Sequence, residues 1–295
     1  MDGMKRKVMK GFIILIVALA AFIAVFPIFF TLMNSFMSEQ EILDRYTKEI
    51  TESNAADFVA NGLHYVRFGL FPEKFTLGQY HKLLTTGPEY FRMFWNSVLL
   101  IVPILLGQCL IAPLAAYAFE EMRFKGKEVI YFTYLIVMLM PTQILLVPNF
   151  IVADWLGIRD SYLAIILPAM FHPLGVFLVR QQLKAFPKEC GEAARIDGAD
   201  EWNVYTKIVR PNLNSVVAAF FVLLFADNWN IIDQAVVFID STYRMPLSVF
   251  LGNVVSQAPG IFFAVSVFYM IPALLVFAFG QDYLAQGIDL SSLKY

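Results

Sequence analysis

The sequence predicts an all-α membrane protein, a polytopic bundle of six transmembrane helices with a charged cytoplasmic loop between spans four and five. Three observations carry this. Of the 295 residues, 59% are hydrophobic and only 16% are charged. Five runs lacking Asp, Glu, Lys and Arg cover residues 11–33, 93–119, 129–153, 161–179 and 245–281. Crossing a hydrocarbon core of about 30 Å takes roughly 20 helical residues. A sixth candidate, 212–239, is apolar apart from Asp227 and Asp233. The strand-length alternation of a membrane barrel is absent, so helices are the remaining way to satisfy the backbone in lipid.

The first run follows Lys5, Arg6, Lys7 and Lys10. A secretory signal has an apolar core of about 7–15 residues and a small-x-small cleavage site. This run is longer and ends in Phe29, Phe30, Thr31, Leu32 and Met33, so a retained anchor is expected. Six spans then place both termini in the cytoplasm. The inside segments are 1–10, 119–128, 180–211 and the tail 282–295, and they hold 14 of the 22 Lys and Arg. That bias agrees with the positive-inside rule. The long outside loop 34–92 carries eight acidic residues. Its stretch 39–60 is expected to be helical, and 71–80 to turn into a short amphipathic helix. A solvated cap and a landing surface for a soluble partner are both open readings of it. The core, 93–281, includes the cytoplasmic loop 182–211.

Spans two to four contain Pro103, Pro113, Pro141, Pro148, Pro168 and Pro173. Such breakers are tolerated in lipid where neighbouring helices or enclosed water satisfy the freed backbone groups. The run 245–281 is too long for one span and should break at Ala258, Pro259 and Gly260, giving a short interfacial or re-entrant element and then span six from Gly260 to Gly280. Cys109 and Cys190 lie far apart in the chain, and His64, His81 and His172 lack ligand spacing, so no disulfide or metal site is expected. His172, beside Pro173, reads as a packed or hydrogen-bonded residue. A net charge of −2 argues against a nucleic-acid partner.

The loop 192–211 is a hydrophilic island among apolar spans. Glu192 to Ile196 can form a short helix in which Ala193 and Ala194 present a face without bulk. Gly198 permits a sharp turn. A second helix is expected from Ala199 through Trp202, Tyr205 and Ile208, with Trp202 and Tyr205 sharing a face with Ile208 or Val209, and Pro211 at the entry to span five. A small-residue helix followed by an aromatic one suits a groove on another protein.

The spacing of Glu192, Ala193, Ala194, Gly198, Ile208 and Pro211 resembles the signature of permease subunits of ATP-binding-cassette importers. Arg210 departs from it, standing where the family usually has leucine. The segment 192–199, together with 75–80, Trp95-Asn-Ser97, Ala116-Tyr-Ala118 followed by Arg123-Phe124, and Trp229-Asn230, resembles the maltose-type, carbohydrate-uptake permeases. The resemblance covers about residue 71 to the end. It implies a prokaryotic inner-membrane subunit that pairs with a second, related permease, and whose coupling loop docks on two ATPase subunits. An extracytoplasmic solute-binding protein would deliver the sugar. ATP and Mg would be used by the ATPase partners, since this sequence has no Gly-x-x-x-x-Gly-Lys-Ser/Thr phosphate loop. No catalytic residue and no cofactor of its own is expected.

Span five carries Asp227, Asn228, Trp229, Asn230, Asp233 and Gln234. Intramembrane carboxylates are costly unless they face water or a partner. Helical spacing predicts Asp227, Asn230 and Gln234 on one side, a polar stripe beside an aromatic ring that would suit a sugar. Bonding to the companion permease or to other spans is the alternative. Gln143 and Asn149 are weaker candidates, since they can repair backbone opened by Pro141 and Pro148. An ion-gradient-driven secondary transporter would use Asp227 and Asp233 as ion sites, but leaves the island unexplained. A membrane-embedded enzyme finds no nucleophile–base pair, carboxylate dyad or metal cluster in the sequence.

Overall fold

The computed structural model describes residues 2–47, 69–86 and 88–292. Most of the stretch 39–60, expected to be helical, lies outside the described residues; its start forms α2 (Glu39–Ile42) and a wider turn, Leu43–Thr47. The other helices are α1 (Asp2–Asn34), α3 (Gly78–Thr86), α4 (Pro88–Glu121), α5 (Lys127–Met138), α6 (Thr142–Trp155), α7 (Leu163–Met170), α8 (Pro173–Ala185), α9 (Lys188–Ile196), α10 (Glu201–Asn203), α11 (Asn214–Trp229), α12 (Asp233–Phe238), α13 (Leu247–Gln257) and α14 (Phe262–Ser292). No strand occurs among the described residues. Among the described residues five helical segments, Met9–Asn34, Pro88–Glu121, Leu163–Ala185, Glu201–Trp229 and Pro259–Leu284, are long and apolar enough to cross a membrane. The pair α5 and α6 supplies a sixth if counted as one span.

The chain divides into two compact units, residues 1–90 with 251–270, and residues 91–250 with 271–295. The first is organised by Gln79, which is 1% exposed. Its Nε2 donates to the carbonyls of Asn34 (2.8 Å) and Met37 (3.0 Å), and its Oε1 accepts from Ala264 N (3.1 Å). One amide thus ties the carbonyl of Asn34, the last residue of α1, and that of Met37 just beyond it to an N–H in the first turn of α14. Met37, Ile42 and Phe263 pack into a small core beside it.

In the second unit α4, α8 and α11 meet at Gly175. A Cβ there would lie 3.0 Å from Ala112 Cβ and 3.1 Å from Gln108 Oε1, with Phe220 Cδ2 at 3.6 Å. Between membrane helices, association rests on close packing and hydrogen bonds, so small residues collect at such crossings. Phe220 is fully buried and Leu224 is 1% exposed on the α11 face that packs there.

Three of the apolar runs differ from straight spans. Residues 129–153 are a helix bent by 112° between α5 and α6. Pro141 sits at the break with ψ 136° and has no N–H to continue the ladder. Run 161–179 is broken at Phe171–His172 and then continues to Ala185, so Arg180 lies inside a helix. Gln108 Nε2 donates to Ala169 O (2.7 Å) and Tyr134 OH to Phe171 O, which repairs the freed carbonyls. His172 caps α8, its Nδ1 accepting from Leu174 N at 3.4 Å. Run 212–239 is also interrupted: α11 ends at Trp229, and Ile231 O accepts from the buried Ser248 hydroxyl. The break expected at 258–260 is present, with α13 before it and α14 after it. Of the expected tail 282–295, residues 282–292 continue α14 and 293–295 lie outside the described residues.

Candidate functional site

The loop region is two short helices joined by a tight reversal. Helix α9 ends in a pair of capping bonds, Gly198 N to Arg195 O (3.1 Å) and Ala199 N to Ala194 O (2.9 Å). This closure needs a left-handed residue, and Gly198 has φ 90°. A Cβ at Gly198 would meet nothing within 4 Å, so glycine is required here by backbone conformation rather than by space. Asp200 caps the next helix, its Oδ1 accepting from Asn203 N at 2.8 Å. That helix starts at Glu201 rather than Ala199. It passes through a wide turn, Val204–Val209, and a tight one, Arg210–Leu213 with Pro211 inside, before α11.

Exposure sorts the residues of this loop. Glu192, Ala193, Gly198 and Pro211 are exposed, and Ala194 and Ile208 half-buried. Trp202 is 62% exposed and Ile196, in the last turn of α9, is 85% exposed. Tyr205 corrects the expected aromatic surface: it is 7% exposed and its ring lies 5.3 Å from that of Tyr117 on α4. Its contact with Trp202 (5.8 Å) leaves only the tryptophan facing outward. The wide turn rotates Tyr205 under the loop. Helical spacing does not single out Ile196 as a surface residue; an isoleucine within a charged stretch is the signal the sequence offers.

The inward side of α9 is ionic. Arg195 Nε lies 2.8 Å from Glu201 Oε1 and its Nη2 donates to Glu201 Oε2 at 3.2 Å, a two-point contact. The same Nη2 lies 3.6 Å from Glu121 Oε2 and 3.4 Å from Tyr117 OH, which itself donates to Glu201 Oε2 at 2.6 Å. The Glu201 carboxylate pushes the Arg195 pKa above the ordinary arginine value. At the other end of α9, Lys188 Nζ is 3.6 Å from Glu120 Oε1. Glu120 also holds Arg180, whose side chain is 6% exposed, at 3.2 Å, with Glu128 on its other side at 3.1 Å and the Tyr131 ring 3.8 Å away.

The span-five stripe is rearranged by the break after Trp229. Asp227 and Asn230 are exposed, but Gln234 belongs to a separate helix, so one continuous helical face does not unite the three. Asn228 Nδ2 donates to Leu224 O at 2.8 Å, within its own helix. Trp229 is 5% exposed, stacked on Phe225 (5.3 Å) and edge-on to Phe94 (5.9 Å), so its ring is occupied by packing. In exchange the structure brings in Gln143, from the first turn of α6, whose Nε2 donates to Asp233 Oδ2 at 3.1 Å. Two helix breaks therefore meet at exposed polar groups. The Trp95-Asn-Ser97 segment is structural: Asn96 Nδ2 donates to Tyr243 O (2.9 Å) and Met245 O (3.0 Å), and Ser97 Oγ accepts from Leu247 N (3.0 Å). Among the described residues no cluster of His, Cys, Asp and Glu could hold a metal ion.

Comparison with known proteins places this geometry. The chain is 29% identical over 297 residues to the arabinooligosaccharides transport system permease protein AraQ of Halalkalibacterium halodurans, covering 99% of this chain and 100% of that one. It is 32% identical over 205 residues to the lactose transport system permease protein LacG of Rhizobium radiobacter, covering 68% and 75% respectively. Its fold is similar to a chain in the crystal structure of a bacterial ABC transporter involved in the import of the acidic polysaccharide alginate. That match has a TM-score of 0.76 at 18% identity and covers 94% of this chain and 96% of that one. Residues 90–290 match the family described as binding-protein-dependent transport system inner membrane component, and the chain belongs to that family.

Proposed function

We propose that this chain is the permease subunit of an ATP-driven, binding-protein-dependent carbohydrate importer. It forms half of a translocation path with a second, related permease and receives mechanical work from two separate ATPase subunits gripping 192–211. The observation that carries this reading is α9 with its left-handed Gly198 reversal, an outward face of Glu192, Ala193 and Ile196, and an ionic inward face. An exposed helix that is rigidly anchored beneath can pass on a push. Among the loop residues, Glu192, Ala193, Ala194, Ile196, Gly198, Trp202, Ile208 and Pro211 form the docking side, and Tyr205 supports them from below.

A carbohydrate cargo is supported by the names of the AraQ and LacG relatives and by polar groups suited to hydroxyls. Asp227, Asn230, Asp233 and Gln143 line the path in this reading, because exposed polar groups within an apolar span belong beside water or protein rather than lipid. Both termini lie in the cytoplasm, and ATP with Mg is used by the partner subunits. The test is reconstitution in vesicles with the companion permease, the ATPases and the binding protein, measuring uptake of arabino-oligosaccharides and lactose. Uptake that requires ATP and the binding protein is expected. Uptake by this chain alone, driven by a proton or sodium gradient, would overturn the proposal and point to Asp227 and Asp233 as ion sites.

A further inference from the structure

Helix α9 rests on α4 through two adjacent carboxylates: Lys188 near its start reaches Glu120 and Arg195 near its end reaches Glu121, each at 3.6 Å. The two ties are not equal. Lys188 is 60% exposed and contacts a carboxylate already held by Arg180, so water screens it. Arg195 is less exposed, binds Glu201 at two points and also reaches Tyr117. Glu201 opens the continuous helical segment 201–229 that contains α11, while Tyr117 and Glu121 belong to α4. One guanidinium therefore joins the docking helix to two spans at once. Gly191, buried on the same side of α9, lets that side lie close: a Cβ there would be 3.3 Å from Arg195 Nη1 and 3.7 Å from Val204 Cγ1.

We infer that Arg195 is the positioning residue through which displacement of the docked α9 is delivered to α4 and α11, with Tyr117, Glu121 and Glu201 as its receiving groups. The inference rests on the proposed importer function. Arg195 faces the chain's own helices, so it sets how the loop moves the spans rather than whether the ATPase binds. A planar fork that fixes two oxygens suits this task better than a point charge, which defines no orientation.

The experiment uses the complete transporter in vesicles, with Arg195→Met, Arg195→Lys and Tyr117→Phe. The measured quantities are ATPase subunits retained on purification, ATP hydrolysed, and sugar transported per ATP. In Arg195→Met the ATPase should be retained and hydrolysis should continue, while sugar per ATP falls about tenfold. Arg195→Lys should recover part of the ratio, and Tyr117→Phe should lose less than Arg195→Met. An unchanged ratio in Arg195→Met overturns the inference, even if both rates fall together. Loss of assembled complex in Arg195→Met and Arg195→Lys alike also overturns it, because the residue would then only hold the fold. If the unaltered transporter shows no ATP-linked uptake, the functional reading itself fails.

Discussion

Gly198 allows the reasoning about the loop to be tested quantitatively. At φ 90° with open space around the position, a side chain adds backbone strain and no collision. Left-handed backbone costs a non-glycine residue roughly 1–2 kcal/mol, less for Asn and Asp, whose short polar side chains bond locally. Gly198→Ala should therefore reduce the population of the correctly closed loop by about 5- to 30-fold relative to its open forms, using about 1.4 kcal/mol per factor of ten. Gly198→Val should be worse, since a β-branched residue at positive φ is an outlier. Gly198→Asn should stay near normal. Gly198→Asp shares the tolerance of Asn but adds charge at the docking face, so it should insert normally and abolish both uptake and its coupling to ATP hydrolysis. The assay is carbohydrate uptake and ATPase rate in vesicles, normalised to protein inserted. Equal activity of the Ala, Val and Asn variants would refute the conformational argument, and normal uptake in the Asp variant would refute docking at this turn.

Three further outcomes are expected. Ile196→Asp removes an apolar side chain worth about 1.5–3 kcal/mol when buried, so the ATPase retained on purification should fall at least tenfold while this chain still inserts; unchanged retention would exclude Ile196 from the interface. Arg180→Met leaves Glu120 without its buried partner, a kind of loss that costs about 3–5 kcal/mol. The purified protein should unfold at a clearly lower temperature, and Glu120→Gln in the same chain should restore part of the loss. Asp227→Ala and Asn230→Ala should each lower the maximal rate of sugar uptake without changing assembly, and unaltered kinetics in both would remove them from the path.

Much of the fold follows from local chemistry. Long apolar runs, basic flanks and prolines are decided by side chains acting singly, so the helical membrane class, the break at Ala258–Gly260 and the turn at Gly198 are readable without coordinates. The loop signature is local as well, because α9, its glycine closure and the Asp200 cap need only neighbours in sequence. What the tertiary structure alone decides is which face each residue turns and whether a span runs unbroken. Helical spacing unites Asp227, Asn230 and Gln234, yet Ile231 gives its carbonyl to Ser248 and the helix stops. Trp229 and Tyr205 look available from their types, but aromatic neighbours on α4 and α11 take them. Arg195 looks like one more loop charge until Tyr117 and Glu121, more than seventy positions earlier, converge on it. Bonds between distant segments depend on where helices cross, and a one-dimensional pattern carries no record of crossings.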